Sequence, residues 1–374
     1  MKFVPYGKQC IQEDDIDIVI ETLKSDFLTT GPKIKEFENA ISTYCGAKYV
    51  VAVSNGTAAL HLASLVLLKK DDKVLTTPNS FLATSNSILY VQAKPIFVDI
   101  SSDGNIDLDI CEEELKKDKS IKAIYAVSFS GRMLNQDKLK YLKKTYNITI
   151  LEDNAHSIGA AYNGIKSGSC TNSDCGIFSF HPVKHLTTGE GGAISTNSKE
   201  IYEKLLQLRT HGMIKTKDMK PWEYEMRDLG FNYRITDIQC ALGLTQLNKQ
   251  VDFLQRRYEI AKIYDKAFEN SIVNPLYIFD GKSSYHLYVV QVDFTKLSIS
   301  KIDLFNQLRE KNIGIQLHYM PINKQPYYKS LAYGNEITPV MDKYYKQCFS
   351  LPMYPLLSNE EQEYVIKTLF EVLK

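Results

Sequence analysis

Between residues 49 and 200 the chain alternates short, nearly unbroken apolar runs with longer segments of helical period, and no other feature restricts its fold as much. "YVVAVS" precedes "TAALHLASLVLLKK", "KVLTTP" precedes "SFLATSNSILYV", and "KPIFVDI" precedes an acidic helical stretch. "KAIYAVSF" precedes "QDKLKYLKKTYN", and "ITILED" leads towards "CGIFSFH" and "GGAISTN". Runs with apolar residues at successive positions suit strands buried on both faces, so the pattern predicts an α/β fold with a mostly parallel sheet sandwiched by helices. Ligands of such sheets gather at the carboxyl ends of the strands.

Near residue 235 the alternation gives way to "TDIQCALGLTQLNKQVDFLQRRYEIAKIYDKAFEN", whose apolar positions recur every three or four residues as in long helices. Beyond it, "YHLYVVQVD" and "IGIQLHYM" read as strands and "KIDLFNQLREKN" as a helix. A last helix starts at Ser358, with Glu361 completing a capping box. This predicts a large domain over 1–250 and a smaller C-terminal α+β domain over 251–374. No repeat or Pro/Gly-rich linker separates them, so the two are expected to pack together.

Charge narrows the function. With 45 basic and 44 acidic residues among 374, the net charge is +1, which argues against a nucleic-acid or membrane-surface binder working by bulk charge. An anionic ligand therefore needs a local site. The opening "MKFVPYGKQCIQEDDIDIVI" has acids by position 13 and no apolar core of signal-peptide length, and no stretch approaches a membrane span, so a cytoplasmic protein is expected. Seven scattered cysteines suit reduced thiols, and the Cys170/Cys175 gap lacks the partners of a zinc site, so no metal is expected.

Three places at predicted strand ends carry chemistry. In "VSNGTAAL" a strand turns into a helix through Ser54, Asn55, Gly56 and Thr57, which makes either an ordinary N-cap or a phosphate cradle of backbone N–H groups and a hydroxyl. In "ITILEDNAHSIGA" a buried strand ends on Glu152 and Asp153. An acid there either sits at a solvated rim or needs a cation, and His156 beyond it is either a packed histidine or a ligand. In "FSFHPVKHLTTGEGGAISTN", Lys184 follows Phe178, Phe180, Pro182 and Val183 with no acid within five residues on either side. Such a lysine either snorkels along the core or has its ammonium form destabilised, freeing a nucleophilic amine. As a set, a phosphate grip, an anion for a pyridine nitrogen and a Schiff-base lysine are what pyridoxal phosphate requires.

The motifs "TTGPKIKEFE", "SNGTAALHLA", "TTPNSFLATSNS", "LEDNAHSIGA", "FSFHPVKHLTTGEGGA", "LRTHGM" and "LGFNYRITDIQCALGLTQL" span almost the whole chain. With them the sequence resembles the DegT/StrS family of fold-type I, pyridoxal-phosphate-dependent sugar aminotransferases. The resemblance implies that Lys184 bonds to the cofactor, that Asp153 partners its ring nitrogen and that Gly56, Thr57 and Ser179 hold its phosphate. It also implies that Phe81 stacks on the ring and that His156 lies on its hydroxyl side. Asn232 of "NYR" would reach the phosphate of a neighbouring subunit, which implies a homodimer with sites at the interface. The implied donor is glutamate and the implied acceptor a 4-keto sugar linked to a nucleotide.

Within the family, "SFHPVKHLTTGEGGA", "LRTHGM" and "IGIQLHYMPI" most resemble the branch that aminates UDP-linked 4-keto-6-deoxy-N-acetyl sugars of L-arabino configuration in pseudaminic acid biosynthesis. That branch implies His318 and Tyr319, with His211 and Arg234, as substrate residues. Asn154, His185 and Met320 depart from the family pattern, and Met320 removes a positive charge near the implied sugar. Other acceptors stay open: a GDP-linked 4-keto-6-deoxymannose giving perosamine, or a UDP-linked sugar of D configuration. So do, further off, a dehydratase or a ligand-binding regulator.

Overall fold

The computed structural model describes residues 2–374. Seven strands form its main sheet: β1 (Tyr49–Val53), β2 (Lys73–Thr76), β3 (Lys94–Phe97), β4 (Ile121–Val127), β5 (Thr149–Asp153), β6 (Cys175–Ser179) and β7 (Gly192–Thr196). Their order is β1-β7-β6-β5-β4-β2-β3, and only β7 runs antiparallel to its neighbours. The helices Gly56–Leu67, Leu82–Tyr90, Leu108–Lys117 and Gln136–Tyr146 fall between the first five strands, as the alternation predicts.

Both faces of the sheet are covered. Val51 and Val53 pack with Tyr125, Leu151, Ile177 and Ile194 beneath the helix Gly56–Leu67. Val50 and Ala52, their neighbours on the alternate face, pack with Phe178 and Ala193 against Phe37 and Ile41. This two-sided burial is why the strands read as unbroken apolar runs. Phe37 and Ile41 belong to the helix Pro32–Cys45, which follows the helix Glu13–Leu23. Neither helix appears in the periodicity reading. Pro32 in the first turn and left-handed Gly46 at the end of the second are local marks of its limits. Its N-terminus is also capped from far away: the Asp237 carboxylate accepts the N–H groups of Gly31 (2.7 Å) and Lys33 (2.9 Å).

The helices Asp237–Asn248 and Gln250–Phe268 lead into a three-stranded antiparallel sheet of β8 (Asn274–Pro275), β9 (Tyr288–Gln291) and β10 (Cys348–Leu351). Tyr264, Tyr288, Val290, Leu304, Phe349 and Leu369 form its core, joined by Val4 from the N-terminus. The capping box is present, with Ser358 Oγ accepting the Glu361 N–H and Glu361 Oε2 accepting the Ser358 N–H. "IGIQLHYM" is not the second strand: β9 pairs with β10, and residues 313–320 contribute only single bridges, Val4 with Ile313 and Gln316 with Ser350. Gln316, Leu317, His318 and Tyr319 instead line a cavity against the large sheet, so their side chains are committed to a site rather than to a ladder. Ile100 and Phe129 pack with Leu287, Val289, Met341 and Tyr344, holding the two parts together. Among the described residues no helix is long and apolar enough to cross a membrane, and all seven cysteines are buried free thiols.

Candidate active site

The carboxyl ends of β1, β5 and β6 open on one cavity of about 960 Å³. After β1 the chain turns at Ser54–Thr57 into the helix Gly56–Leu67. Asn55 Oδ1 accepts the Ala58 N–H at 2.8 Å and the Asn55 carbonyl accepts the Ala59 N–H, so the turn is an N-cap. It is also a cradle: Gly56 and Thr57 face the cavity beside Ser179, at the positive end of the helix dipole. Close approach explains the glycines. A Cβ on Gly56 would meet Ser179 Cβ at 3.0 Å, and one on Gly192 would meet the Asn55 carbonyl carbon and oxygen at 2.6 Å. Backbone cannot rotate aside, so Gly192→Ala should push the turn outward. We expect it to cost roughly 1–3 kcal/mol of stability and to weaken phosphate-dependent cofactor binding, read by thermal melting and cofactor titration. Wild-type values for both would show that this contact does not set the turn.

β5 ends on two acids facing opposite ways. Glu152 points away from the cavity, where Gln136 Nε2 (2.7 Å) and Ser173 Oγ (2.7 Å) donate to it. Asp153 lines the cavity floor and accepts from Thr84 Oγ1 at 2.7 Å and from the Ala155 N–H at 3.1 Å. Both are about 95% or more buried, so the solvated-rim alternative does not hold for either. Burial raises the Asp153 carboxyl, opposed by Thr84, Ala155 and the charge of Lys184. A carboxylate so placed favours any cation offered from the cavity. His156 above it is buried and held neutral, its pKa well depressed by burial and by nearby cationic Lys184. Its Nε2 meets Tyr319 Oη at 3.2 Å, while its Nδ1 is buried without a partner.

Lys184 sits in the loop between β6 and β7, at the mouth of a knot tied by the Thr/Gly run. Thr187 Oγ1 donates to the Phe180 carbonyl (3.0 Å) and accepts the Gly189 N–H (3.0 Å), and Thr188 Oγ1 donates to the Glu190 carbonyl (2.6 Å). Phe180 itself is buried against Phe37. The threonines thus fold the loop back so that the lysine stem leaves the core and its amine enters the cavity. Burial lowers Lys184 to about 8, with Asp153 pulling in the opposite direction. Near pH 7 this leaves roughly a tenth of the amine unprotonated, against almost none for an ordinary lysine. A snorkelling lysine would show the reverse, a solvated ammonium.

Nine of the residues singled out from the sequence line this cavity: Gly56, Thr57, Phe81, Asp153, His156, Ser179, Lys184, His318 and Tyr319. Phe81 is 60% exposed and forms an open wall, 6.4 Å from the Tyr319 ring. His318 is buried, with Nδ1 2.8 Å from Ser350 Oγ, and burial lowers it to about 3, so it acts as a neutral wall. Asn232, His211 and Arg234 do not line it. Asn232 and His211 are exposed beside each other, and Arg234 lines a separate, smaller cavity. Sequence reasoning missed Thr84, Tyr6 and His286. Thr84 lies within a motif but on an ordinary helix turn, while Tyr6 and His286 come from segments distant in the chain from the site motifs. The His286 ring lies 4.3 Å from that of His156, tilted by 43°, and its segment reads as part of a strand pattern. Asn154 and His185, two of the departures, are buried behind the site: Asn154 Oδ1 accepts from Ser128 and Ser157, and His185 Nε2 donates to the Ser284 carbonyl.

Pyridoxal phosphate fits what is present: an N–H cradle where a Cβ at Gly56 would crowd Ser179, a buried carboxylate on the floor, an amine with lowered pKa, and an unpartnered buried His156 Nδ1. Fold and site together define a fold-type I, pyridoxal-phosphate-dependent aminotransferase. The chain belongs to the DegT/DnrJ/EryC1/StrS aminotransferase family, whose model matches residues 9–370. It is 41% identical over 374 residues to UDP-4-amino-4,6-dideoxy-N-acetyl-beta-L-altrosamine transaminase of Campylobacter jejuni, covering 99% of this chain and 98% of that one. Among solved structures it superposes on Helicobacter pylori PseC, an aminotransferase of pseudoaminic acid biosynthesis, with TM-score 0.92 and 31% identity, over 100% of this chain and 99% of that one. The PLP form of the putative sugar aminotransferase Spr1654 from Streptococcus pneumoniae matches with TM-score 0.90 and 30% identity, over 99% and 98% of the two chains.

Proposed function

We propose that the protein moves the amino group of glutamate to the 4-keto carbon of UDP-2-acetamido-2,6-dideoxy-β-L-arabino-hexos-4-ulose, a step of pseudaminic acid biosynthesis. The observation that carries the reading is the convergence of Lys184, Asp153 and the Gly56–Thr57 turn on one cavity whose outer wall holds His318 and Tyr319. The relatives' names supply the sugar. When bound, pyridoxal phosphate supplies an electron sink for the carbon that loses its proton. Gly56, Thr57 and Ser179 would hold its phosphate, Phe81 would stack on its ring, and Asp153 would keep a proton on the ring nitrogen. Lys184 would be the residue that holds the cofactor covalently. Its Nζ, in the same cavity, would take the proton from the α carbon of glutamate and, in the second half, deliver one to carbon 4 of the sugar. His156, neutral and fixed by Tyr319, would lie on the hydroxyl side of the ring without adding charge.

The same reading includes a cytoplasmic homodimer with a large domain over 1–250 and a small one over 251–374. Asn232 lies outside its own chain's cavity on an exposed segment, which suits a role at a neighbour's phosphate. His211 and Arg234 enter the substrate reading only in the same way. Purified protein with pyridoxal phosphate and glutamate should be offered a panel of nucleotide 4-keto sugars and scored by product mass. We expect a higher kcat/KM for the UDP-linked L-arabino sugar than for its D-configured epimer or for GDP-4-keto-6-deoxymannose. An isomer that repositions a hydrogen-bonding group leaves buried polar groups unpaired, and discrimination of that kind is large. Efficient amination of the GDP sugar with none of the UDP sugars would overturn the sugar assignment while leaving the aminotransferase.

A further inference from the structure

The loop that carries Lys184 is tied to itself by Thr187 and Thr188, while His185 ties it to another segment. His185 is buried, and its Nε2 lies 3.0 Å from the Ser284 carbonyl. A carbonyl can only accept, so Nε2 carries the proton and Nδ1 keeps a lone pair. That Nδ1 is buried without a partner. Burial, with the charge of Arg257 nearby, holds the ring neutral and its pKa well below the usual histidine range, so this arrangement of donor and lone pair is the resting one. An apolar side chain would fill the same space without leaving a polar atom unpaired, so packing alone does not account for a histidine here. The hydrogen bond to Ser284 does.

Ser284 is itself held from several directions. Its N–H donates to the Gly131 carbonyl at 3.0 Å and its Oγ to the His156 carbonyl at 3.1 Å. The next two carbonyls, of Tyr285 (3.0 Å) and His286 (3.3 Å), accept Nη1 of Arg257, a buried guanidinium that also reaches the Met353 carbonyl at 2.9 Å. Backbone meets backbone here, since a Cβ on Gly131 would lie 2.7 Å from the Tyr285 nitrogen. The segment then runs into β9 of the three-stranded sheet. One fixed residue thus holds His156 through its Oγ and the neighbour of Lys184 through its carbonyl. We propose that His185 is a positioning residue for aminotransfer: its Nε2 bond to Ser284 fixes the loop between β6 and β7 against the smaller sheet and so sets where the Lys184 amine enters the cavity. This rests on the reading of Lys184 as the residue that holds the cofactor. Without the bond the loop keeps its threonine ties and loses its outward one, and a small displacement of a reacting group is costly in rate.

The test compares His185→Gln, His185→Asn and His185→Leu with wild type, each shown to be folded by thermal melting. The amide nitrogen of Gln can stand where Nε2 stands and donate to Ser284; that of Asn stands nearer Nδ1, and Leu keeps only the bulk. Apoenzyme mixed with pyridoxal phosphate, quenched at intervals with borohydride and mapped by peptide mass, gives the rate at which residue 184 captures the cofactor. Absorbance of the loaded enzyme against glutamate concentration gives the maximal rate and the half-saturating concentration of the first half-reaction. Asn and Leu should slow both capture and maximal rate by roughly tenfold or more, with the half-saturating concentration little changed, because the loss falls on the reacting amine and not on donor binding. Gln should restore most of both rates, which a role in packing alone would not produce. Wild-type capture and wild-type maximal rate in the folded Asn and Leu variants would overturn the proposal, as would a Gln variant no faster than Leu. Wild-type protein with no adduct at residue 184 would instead overturn the reading of Lys184 on which the proposal rests.

Discussion

Lys184→Ala should lose the covalent link to the cofactor and essentially all turnover. The wild-type amine is positioned by the threonine-tied loop and lowered to about 8 by burial, so it is both close and available. Alanine removes the nucleophile and the proton carrier together, and no other lysine lines the cavity. Borohydride reduction of wild type, followed by peptide mass mapping, should place the cofactor on the peptide containing residue 184, and the variant should yield no such adduct. The fold should survive, because the lysine stem is not part of any of the core clusters and its removal frees a cation from a buried site. A reduced adduct on any other lysine would sink the assignment.

Asp153→Asn should still bind cofactor but slow proton removal from glutamate by several orders of magnitude, each factor of ten corresponding to about 1.4 kcal/mol of barrier. Asparagine is nearly isosteric: its oxygen can keep the Ala155 N–H, its amide nitrogen can donate to a Thr84 hydroxyl turned towards Ser80 Oγ, and it lacks the charge that holds a proton on the ring nitrogen. Stability provides a separate readout with a definite sign. Burial raises the Asp153 carboxyl, so ionising it costs the apo fold stability as pH rises above the unfolded value. The neutral amide removes that cost, and apo Asp153→Asn should melt no lower than wild type at neutral pH. Glu152→Gln touches only Gln136 and Ser173, away from the cavity, and should be mild in kinetics. If the two substitutions exchanged severities, the face of β5 that meets the cofactor would be the other one.

The sheet was legible because parallel strands covered on both faces must be apolar at successive positions, and "YVVAV", "AIYAV" and "ITIL" are. The strand ends were legible for the same reason: chemistry placed just after such a run can only emerge at the carboxyl edge. Lys184, Asp153 and Gly56 were therefore found before any coordinate. "IGIQLHYM" misled because alternating apolar and polar residues look alike whether the polar ones meet solvent or a cavity. Here Gln316 and His318 meet the cavity. The helix Pro32–Cys45 has local marks at both ends, Pro32 and Gly46, but the side chain that caps its N-terminus, Asp237, lies some two hundred residues away.

By itself the sequence determined the layered α/β architecture, the order of the site motifs and the type of cofactor, since each follows from local period and residue chemistry. Tertiary structure alone decided which residues share a space. It placed Thr84 beneath Asp153, set His286 against His156, and separated Arg234 from the cavity that its neighbour Tyr233 lines. Those outcomes depend on packing between segments distant in the chain, and no local pattern of residues carries that information.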